Sequence, residues 1–502
     1  MTSLSLASLL AEPARRWPDH TALVEGATRV TYAELWRDAR AVAASLAAKD
    51  VAPGDRVALL APNVVDFVRS YFGILAAGAV VVPVPTLLNA AEAAQIVRDS
   101  GAGTVLHHGL FAAVGAGAAQ AAGAAAYDIA GLGEDHEPLP TFVTRQAEDL
   151  AVIFYTSGTT GAPKGALLTQ VNLVMNATTN AFDSNGLVRN DTVFGALPLF
   201  HTFGQTVAMG ATFRVGARLV LQPRFNAAEA LELMVAEGVT RFLGVPTMFI
   251  QLLRAAEERL AGGRPLPRLT SCTSGGSAMP VAVLEEFQRV FDTAIYEGYG
   301  LSETSPTAAV NQKVFGTRPG TVGHAIWGVE VEIADAGVAD RIVLLPSGEI
   351  GEIVVRGHNV FAGYLDRPEA TGEALVEGWF RTGDIGTKDA DGFITIVDRR
   401  KDVIIRSGFN VYPREVEEVL ARHPDIGQVA VIGIPDTERG EEVCAVVVAR
   451  PGHEIDVDAL RAWGREQLAH HKYPRLVHVL PELPMGPSQK VLKRDLRARF
   501  TQ

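Results

Sequence analysis

The stretch Tyr155-Thr156-Ser157-Gly158-Thr159-Thr160-Gly161-Ala162-Pro163-Lys164-Gly165 gathers groups that meet phosphate. Gly158, Gly161 and Gly165 free the backbone to adopt φ > 0 and to approach a ligand closely. Thr156, Ser157, Thr159 and Thr160 add rotating hydroxyls, and Lys164 adds one compact cation. Hydroxyls, backbone N–H groups and an ammonium together suit the spread negative charge of a triphosphate. No G-x-x-x-x-G-K-[ST] is present, so this is not the common phosphate loop. Ala151-Val152-Ile153-Phe154 reads as a buried strand feeding directly into it, a setting that a plain Gly/Ser/Thr linker rarely has.

Other chemistry-bearing segments follow downstream. They are PLFH at 198–201, YEGYGLSET at 296–304, GWFRTGDIG at 378–386, DRRKDVIIRSGFNVYPREVE at 398–417 and QKVLKRDLR at 489–497. With the loop at 155–165 they resemble, in order, the signature segments of the adenylate-forming (AMP-binding) superfamily. That superfamily includes acyl- and aryl-CoA synthetases, peptide-synthetase adenylation domains and firefly-type luciferases; fatty-acyl-CoA synthetase is the closest flavour. The motifs span residues 155–497, and the segment before them also reads like the family's N-terminal subdomain.

The resemblance implies a reaction. A carboxylate attacks the α-phosphate of ATP, pyrophosphate leaves, and a thiol then displaces AMP from the acyl-adenylate. The protein's share is positioning and charge stabilisation around phosphorus. Mg²⁺, an oxygen-seeking ion, is the implied cofactor, with ATP and CoA as co-substrates.

Residue by residue, the resemblance assigns Glu303 and Thr156 to the metal. It assigns Thr156, Ser157, Gly158, Thr159, Thr160, Lys164, Gly276, Glu297, Gly298, Tyr299 and Ser302 to the nucleotide. Ser302 stands where the family usually has Thr, and either hydroxyl can bond the α-phosphate; Tyr299 offers an aromatic face to adenine. Asp384 is implied to accept both ribose hydroxyls, with Arg399 beside the same sugar. Lys490 is the implied catalytic lysine of adenylation, a flexible ammonium bridging carboxylate and α-phosphate. Gln489 precedes it where the family usually has Gly, and Lys493 is the alternative. His201 is implied to shape or gate the acyl pocket, Gly408 to line the CoA tunnel, and Lys401 to be the hinge of a mobile C-terminal lid.

The acyl pocket is read from 201–204, 245–248 and 275–279, with His201, Phe203, Thr247, Met248, Gly275 and Ser277 as its lining. These segments are neutral and largely apolar. An amino-acid substrate would want a buried carboxylate for its ammonium, and a dicarboxylate a buried Arg or Lys. Residues 201–215 hold no Asp or Glu, and none of the lining segments holds Arg or Lys. An apolar acid, fatty or aromatic, is the expected substrate. A carrier protein is the alternative thiol acceptor, although no insertion is evident between 320 and 401.

Positioning such groups requires a scaffold. From residue 56 to about 300, strand-like runs (56–60, 79–82, 192–197, 217–221, 239–244, 294–296) alternate with helix-like ones (63–77, 89–99). That alternation predicts an α/β fold with mainly parallel sheets covered by helices, and a ligand crevice beyond the strands' carboxyl ends. The Ala/Gly-rich stretch 112–126 reads as a surface helix or loop. Short strands after 320 suggest a small antiparallel β subdomain to about 400, with a turn at Asp391-Gly392. Beyond Lys401 an α+β unit is expected: helix 413–422, strands 429–434 and 442–448, helix 457–469 and a basic last helix. The expected domains are therefore 1–400 and 401–502.

Composition excludes several classes. A length of 502 residues favours two or more domains, and 48% hydrophobic content argues against disorder. A net charge of −12 argues against nucleic acid as the partner. Only Cys272 and Cys444 occur, as expected for a reducing cytoplasm. The apolar run 4–10 lacks a basic leader, and no run reaches the ~20 residues of a spanning helix, so a cytoplasmic enzyme without a transmembrane segment is expected.

Overall fold

The computed structural model describes residues 3–156, 163–486 and 491–501. The chain divides into two compact units, Met1–Val331 with Val355–Phe380, and Glu332–Val354 with Arg381–Gln502. Among the described residues no helix is long and apolar enough to cross a membrane. Cys272 and Cys444 are free and buried.

The strands of the first unit begin with β1 (Thr21–Glu25), β2 (Thr28–Thr31), β3 (Arg56–Leu60), β4 (Val80–Pro83), β5 (Thr104–His107), β6 (Ala125–Asp128), β7 (Leu150–Thr156) and β8 (Lys164–Thr169). They continue with β9 (Thr192–Gly195), β10 (Arg218–Leu221), β11 (Arg241–Gly244), β12 (Ser271–Ser274), β13 (Ala294–Gly300), β14 (Thr307–Val310) and β15 (His324–Ala325). One sheet runs β6-β5-β3-β4-β7-β8, the other β15-β14-β13-β12-β11-β9-β10-β1-β2. Most pairings are parallel; β7–β8, β13–β14, β14–β15 and β1–β2 are antiparallel edges. The chain is thus α/β, with a large unit of mainly parallel sheets and a smaller C-terminal unit, as the alternation of apolar runs predicts.

Local chemistry sets the helix ends. Asn89 accepts from the N–H groups of Ala91 and Glu92 while Glu92 reaches back to Asn89 N, a capping box opening Ala90–Ser100. Gly101, at φ 65°, closes that helix in the left-handed region. The Ala/Gly-rich stretch becomes helix Ala112–Ala122 followed by edge strand β6, which sequence reading missed because the strand's side chains are barely apolar. Its small residues serve packing: a Cβ at Gly115 would lie 2.6 Å from the His107 side chain. Ala118 and Ala119 join Val82, Ile96, Val105 and Ile153 in the core.

In the second unit, strands Ile426–Asp436 and Gly440–Ala449 pair antiparallel, and Leu476–Val479 adds a parallel edge that the sequence reading did not foresee. Helices Pro413–Leu420, Val457–Gln467 and Lys493–Phe500 accompany them, close to the expected α+β order. The unit also includes Glu332–Val354 and Arg381 onward, upstream of Lys401.

Candidate active site

Four neighbouring parallel strands, β13, β12, β11 and β9, end side by side in the nine-stranded sheet of the first unit. Each of the segments 198–203, 245–248, 275–279 and 297–300 continues from one of those carboxyl ends or forms its last residues. The sheet order therefore gathers His201, Phe203, Thr247, Met248, Gly275, Gly276, Ser277, Glu297, Gly298 and Tyr299 along one edge, the place where such sheets bind ligands.

Fixed contacts set the details there. A Cβ at Gly275 would lie 3.1 Å from the Phe203 ring, so glycine is what admits that ring. Thr247 Oγ1 is buried with no hydrogen-bond partner among the described residues. The amide of Met279 donates to the buried carboxylate of Glu297 at 3.2 Å. Phe203 opens a π-helical stretch, Phe203–Gly210, and its amide donates to His201 Nδ1 at 3.2 Å. The 198–201 turn is clamped by Asn63, whose amide donates to Gly195 O and Leu197 O and accepts from Leu199 N. Sequence reading missed Asn63; its only signal was an Asn just past a strand end.

The strand expected at 294–296 does not end there. β13 runs on to Gly300 because it pairs with β14. A Cβ at Gly300 would lie 1.8 Å from Pro306 O, so the close approach that this glycine permits is to the chain's own backbone. The turn comes later, as Ser302–Thr304, with Glu303 buried.

In the six-stranded sheet, β7 and β8 form the hairpin that carries the phosphate-suited loop, with Thr156 and Lys164 as its last paired residues. Ser157, Gly158, Thr159 and Thr160 lie outside the described residues, as does Lys490. Just before the loop, the Tyr155 hydroxyl donates to Asp99 at 2.7 Å, and Arg367 pairs with the same carboxylate at 2.7 Å. Burial, then Asp99, raises the Tyr155 phenol far above its ordinary range, so it stays a donor. Glu303 is reached from the same side: Tyr364 donates to its Oε1 at 2.9 Å, and Lys164 Nζ lies 5.2 Å from the Tyr364 ring centroid.

The second unit assembles another cluster. Asp384 and Arg399 are cross-strand partners, with Asp384 buried and Arg399 Nε 3.3 Å from Asp384 Oδ1. Gly383, at φ 73° inside strand Trp379–Lys388, precedes Asp384 and donates to Glu352 at 3.0 Å. Arg381 grips the same buried carboxylate through Nε at 2.9 Å and Nη2 at 2.6 Å. Glu352 and Arg381 are thus positioning groups that sequence reading passed over. Ser407 and Gly408, at φ 51° and 80°, form a tight two-residue hairpin between Ile404–Arg406 and Phe409–Val411. A Cβ at Gly408 would meet nothing within 4 Å, so the glycine answers to backbone conformation.

Lys493, the alternative catalytic lysine, is engaged elsewhere. Its ammonium pairs with Glu417 at 2.7 Å. Burial lowers its pKa, but Glu417 and Asp398 outweigh that and leave it raised. Asp398 in turn accepts from Arg414 N at the start of helix Pro413–Leu420, at 2.8 Å, and burial raises its carboxyl.

A profile of the family described as "AMP-binding enzyme" matches residues 10–365, and one described as "AMP-binding enzyme C-terminal domain" matches 415–490. The chain belongs to the AMP-binding enzyme family. Among similar proteins, a feruloyl-CoA synthase of Amycolatopsis sp is 38% identical, with 100% of both chains covered. A long-chain-fatty-acid–CoA ligase of Bacillus subtilis is 33% identical over 99% of this chain and 95% of its own. ATP-bound MatB from Rhodopseudomonas palustris superposes with a TM-score of 0.90 at 32% identity, covering 99% of each chain. With such relatives, this AMP-binding enzyme is an acid–thiol ligase of the AMP-forming class.

Among the described residues no cluster of three or more His, Cys, Asp or Glu could hold a metal. Mg²⁺ on a nucleotide does not need one, since one carboxylate plus phosphate oxygens and water complete its shell. The buried Glu303 carboxylate, tethered through one oxygen to Tyr364, fits that single-carboxylate role.

Proposed function

We propose that this enzyme activates a neutral, largely apolar carboxylic acid, of fatty type first, with ATP and Mg²⁺ and passes the acyl group to CoA. A carboxylate oxygen attacks the α-phosphorus and the bond to pyrophosphate breaks. The CoA sulfur then attacks the acyl carbonyl and AMP leaves. Lys164 and the loop hydroxyls meet the phosphates, Ser302 the α-phosphate, Glu303 and Thr156 the metal, and Asp384 with Arg399 the ribose. Gly276, Glu297, Gly298 and Tyr299 cradle the base; Lys490 offsets charge during adenylation; Lys401 and Gly408 serve the hinge and the CoA tunnel. A cytoplasmic location accords with two unpaired cysteines.

The neutral lining carries the substrate reading. An aromatic acid is the second reading, favoured by the Phe203 ring over Gly275 and by the 38% identity with feruloyl-CoA synthase. A pyrophosphate-release screen of saturated fatty acids of graded length, ferulate and malonate, with and without CoA, separates the cases. Malonate as the best substrate would overturn the reading.

Glu303→Gln keeps shape and removes charge. It is expected to raise the Mg²⁺ concentration for half-maximal adenylation by about tenfold, the worth of one charged contact. A Mg²⁺ titration identical to wild type would remove Glu303 from the metal's shell.

A further inference from the structure

Tyr364 was not among the residues singled out from sequence, yet it touches one group assigned to the metal and one assigned to the phosphates. Its hydroxyl donates to Glu303 Oε1 at 2.9 Å, and the Lys164 ammonium lies over its ring, 5.2 Å from the centroid. Its backbone is zipped to β8: Tyr364 bridges Ala166, Leu365 N donates to Gly165 O at 2.8 Å, and Leu167 N donates to Gly363 O at 3.0 Å. The Phe361 ring packs edge-on against it at 4.8 Å, and Phe361 N donates to Glu303 O at 2.9 Å. The stretch 361–364 therefore holds both the main chain and the carboxylate of Glu303.

Helix Gln170–Thr179 backs this arrangement with buried amides one turn apart. Asn172 donates to His358 O at 2.7 Å and Val360 O at 3.0 Å; Asn176 donates to Thr304 O at 3.4 Å and Thr307 O at 2.9 Å. The main chain beside Tyr364 and beside Glu303 is consequently held at several points.

The chemistry explains why a phenol suits this place. A carboxylate and an ammonium sharing a small space attract one another, and a direct pair would compete with phosphate and metal for both charges. A neutral hydroxyl can steady the carboxylate without cancelling its charge, and an aromatic face can steady the ammonium in the same way.

We propose that Tyr364 is a positioning residue of the triphosphate site, aiming the Glu303 carboxylate at the metal side through its hydroxyl and the Lys164 ammonium at a phosphate oxygen through its ring. This rests on the reading that Glu303 and Lys164 serve Mg²⁺-ATP.

The two arms can be cut separately, and calorimetric nucleotide binding needs no acid substrate. Tyr364→Phe should bind ATP in EDTA within about twofold of wild type but Mg²⁺-ATP about tenfold more weakly, because only the hydroxyl arm is lost. Tyr364→Leu should in addition weaken metal-free ATP about three- to fivefold, the scale of a lost cation–π contact. In turnover, Tyr364→Phe should shift the Mg²⁺ midpoint upward while kcat at saturating Mg²⁺ is mostly kept. Wild-type-like Mg²⁺-ATP binding by Tyr364→Phe would overturn the proposal. So would equal losses with and without metal in both variants that track a lowered Tm, since Tyr364 would then only support the fold. If the wild-type enzyme bound ATP in neither buffer, the nucleotide reading itself would fall, and the proposal with it.

Discussion

Replacing Lys490 by Ala is expected to slow acyl-adenylate formation by about 10²-fold or more, the scale of losing a preorganised electrostatic group. Thioester formation from supplied acyl-adenylate should fall far less, because the α-phosphate transfer is already complete. The assignment rests on resemblance and on register: Val491-Leu492-Lys493-Arg494-Asp495-Leu496-Arg497 follows it as the family's motif requires. The structure bears on the rival. Lys493 is held by Glu417 beside the buried Asp398, and an ammonium committed there is poorly placed to follow a substrate. Lys493→Met should instead lower stability by roughly 1–3 kcal/mol, leaving a half-buried carboxylate short of its partner, without favouring either half-reaction. Single-turnover rates for the two steps decide this. Equal losses in both steps for Lys490→Ala would remove it from adenylation, and step-selective loss in Lys493→Met would transfer the role.

Lys401→Pro is expected to keep acyl-adenylate formation and to lose CoA-dependent thioester production by at least about tenfold, since a hinge must absorb a φ/ψ change. Lys401 lies in the turn where Asp402 N and Val403 N donate to Arg399 O at 2.9 and 3.2 Å. Proline there fixes φ near −65° and biases Arg400 away from the helical region that such a turn uses. If the C-terminal unit must reorient between half-reactions, a stiffened turn holds it in one pose. Parallel loss of both steps at unchanged Tm, or no loss, would refute a hinge at Lys401.

Short-range chemistry was the legible part of this chain. The hydroxyl- and glycine-rich run at 155–165 and the charged residues around 384 and 399 show their types within a few positions, and the alternation of apolar runs gave the parallel sheets. The residues that aim those groups were not legible, because their partners are far off in sequence. Asn63 bonds Leu197 across 134 positions, Tyr364 bonds Glu303 across 61, and Arg381 bonds Glu352 across 29. Nothing near an Asn or Tyr marks it for such work. β6 was missed for another reason: Ala125–Asp128 lies at a sheet edge with little burial, so no alternating apolar pattern is imposed on it. β13 ran longer than expected because pairing with β14 outweighs the low strand propensity of Gly298 and Gly300.

The central claim is attack of a carboxylate oxygen on the α-phosphorus of ATP, and oxygen labelling tests it without mutagenesis. The acid that performs best in the substrate screen, carrying ¹⁸O in its carboxyl group, is turned over with ATP, Mg²⁺ and CoA, and the products are weighed by mass spectrometry. The account predicts one ¹⁸O in AMP and none in pyrophosphate, since the attacking oxygen stays on the phosphorus when the thiol takes the acyl group. Unlabelled AMP, or label in orthophosphate accompanied by ADP, would contradict it.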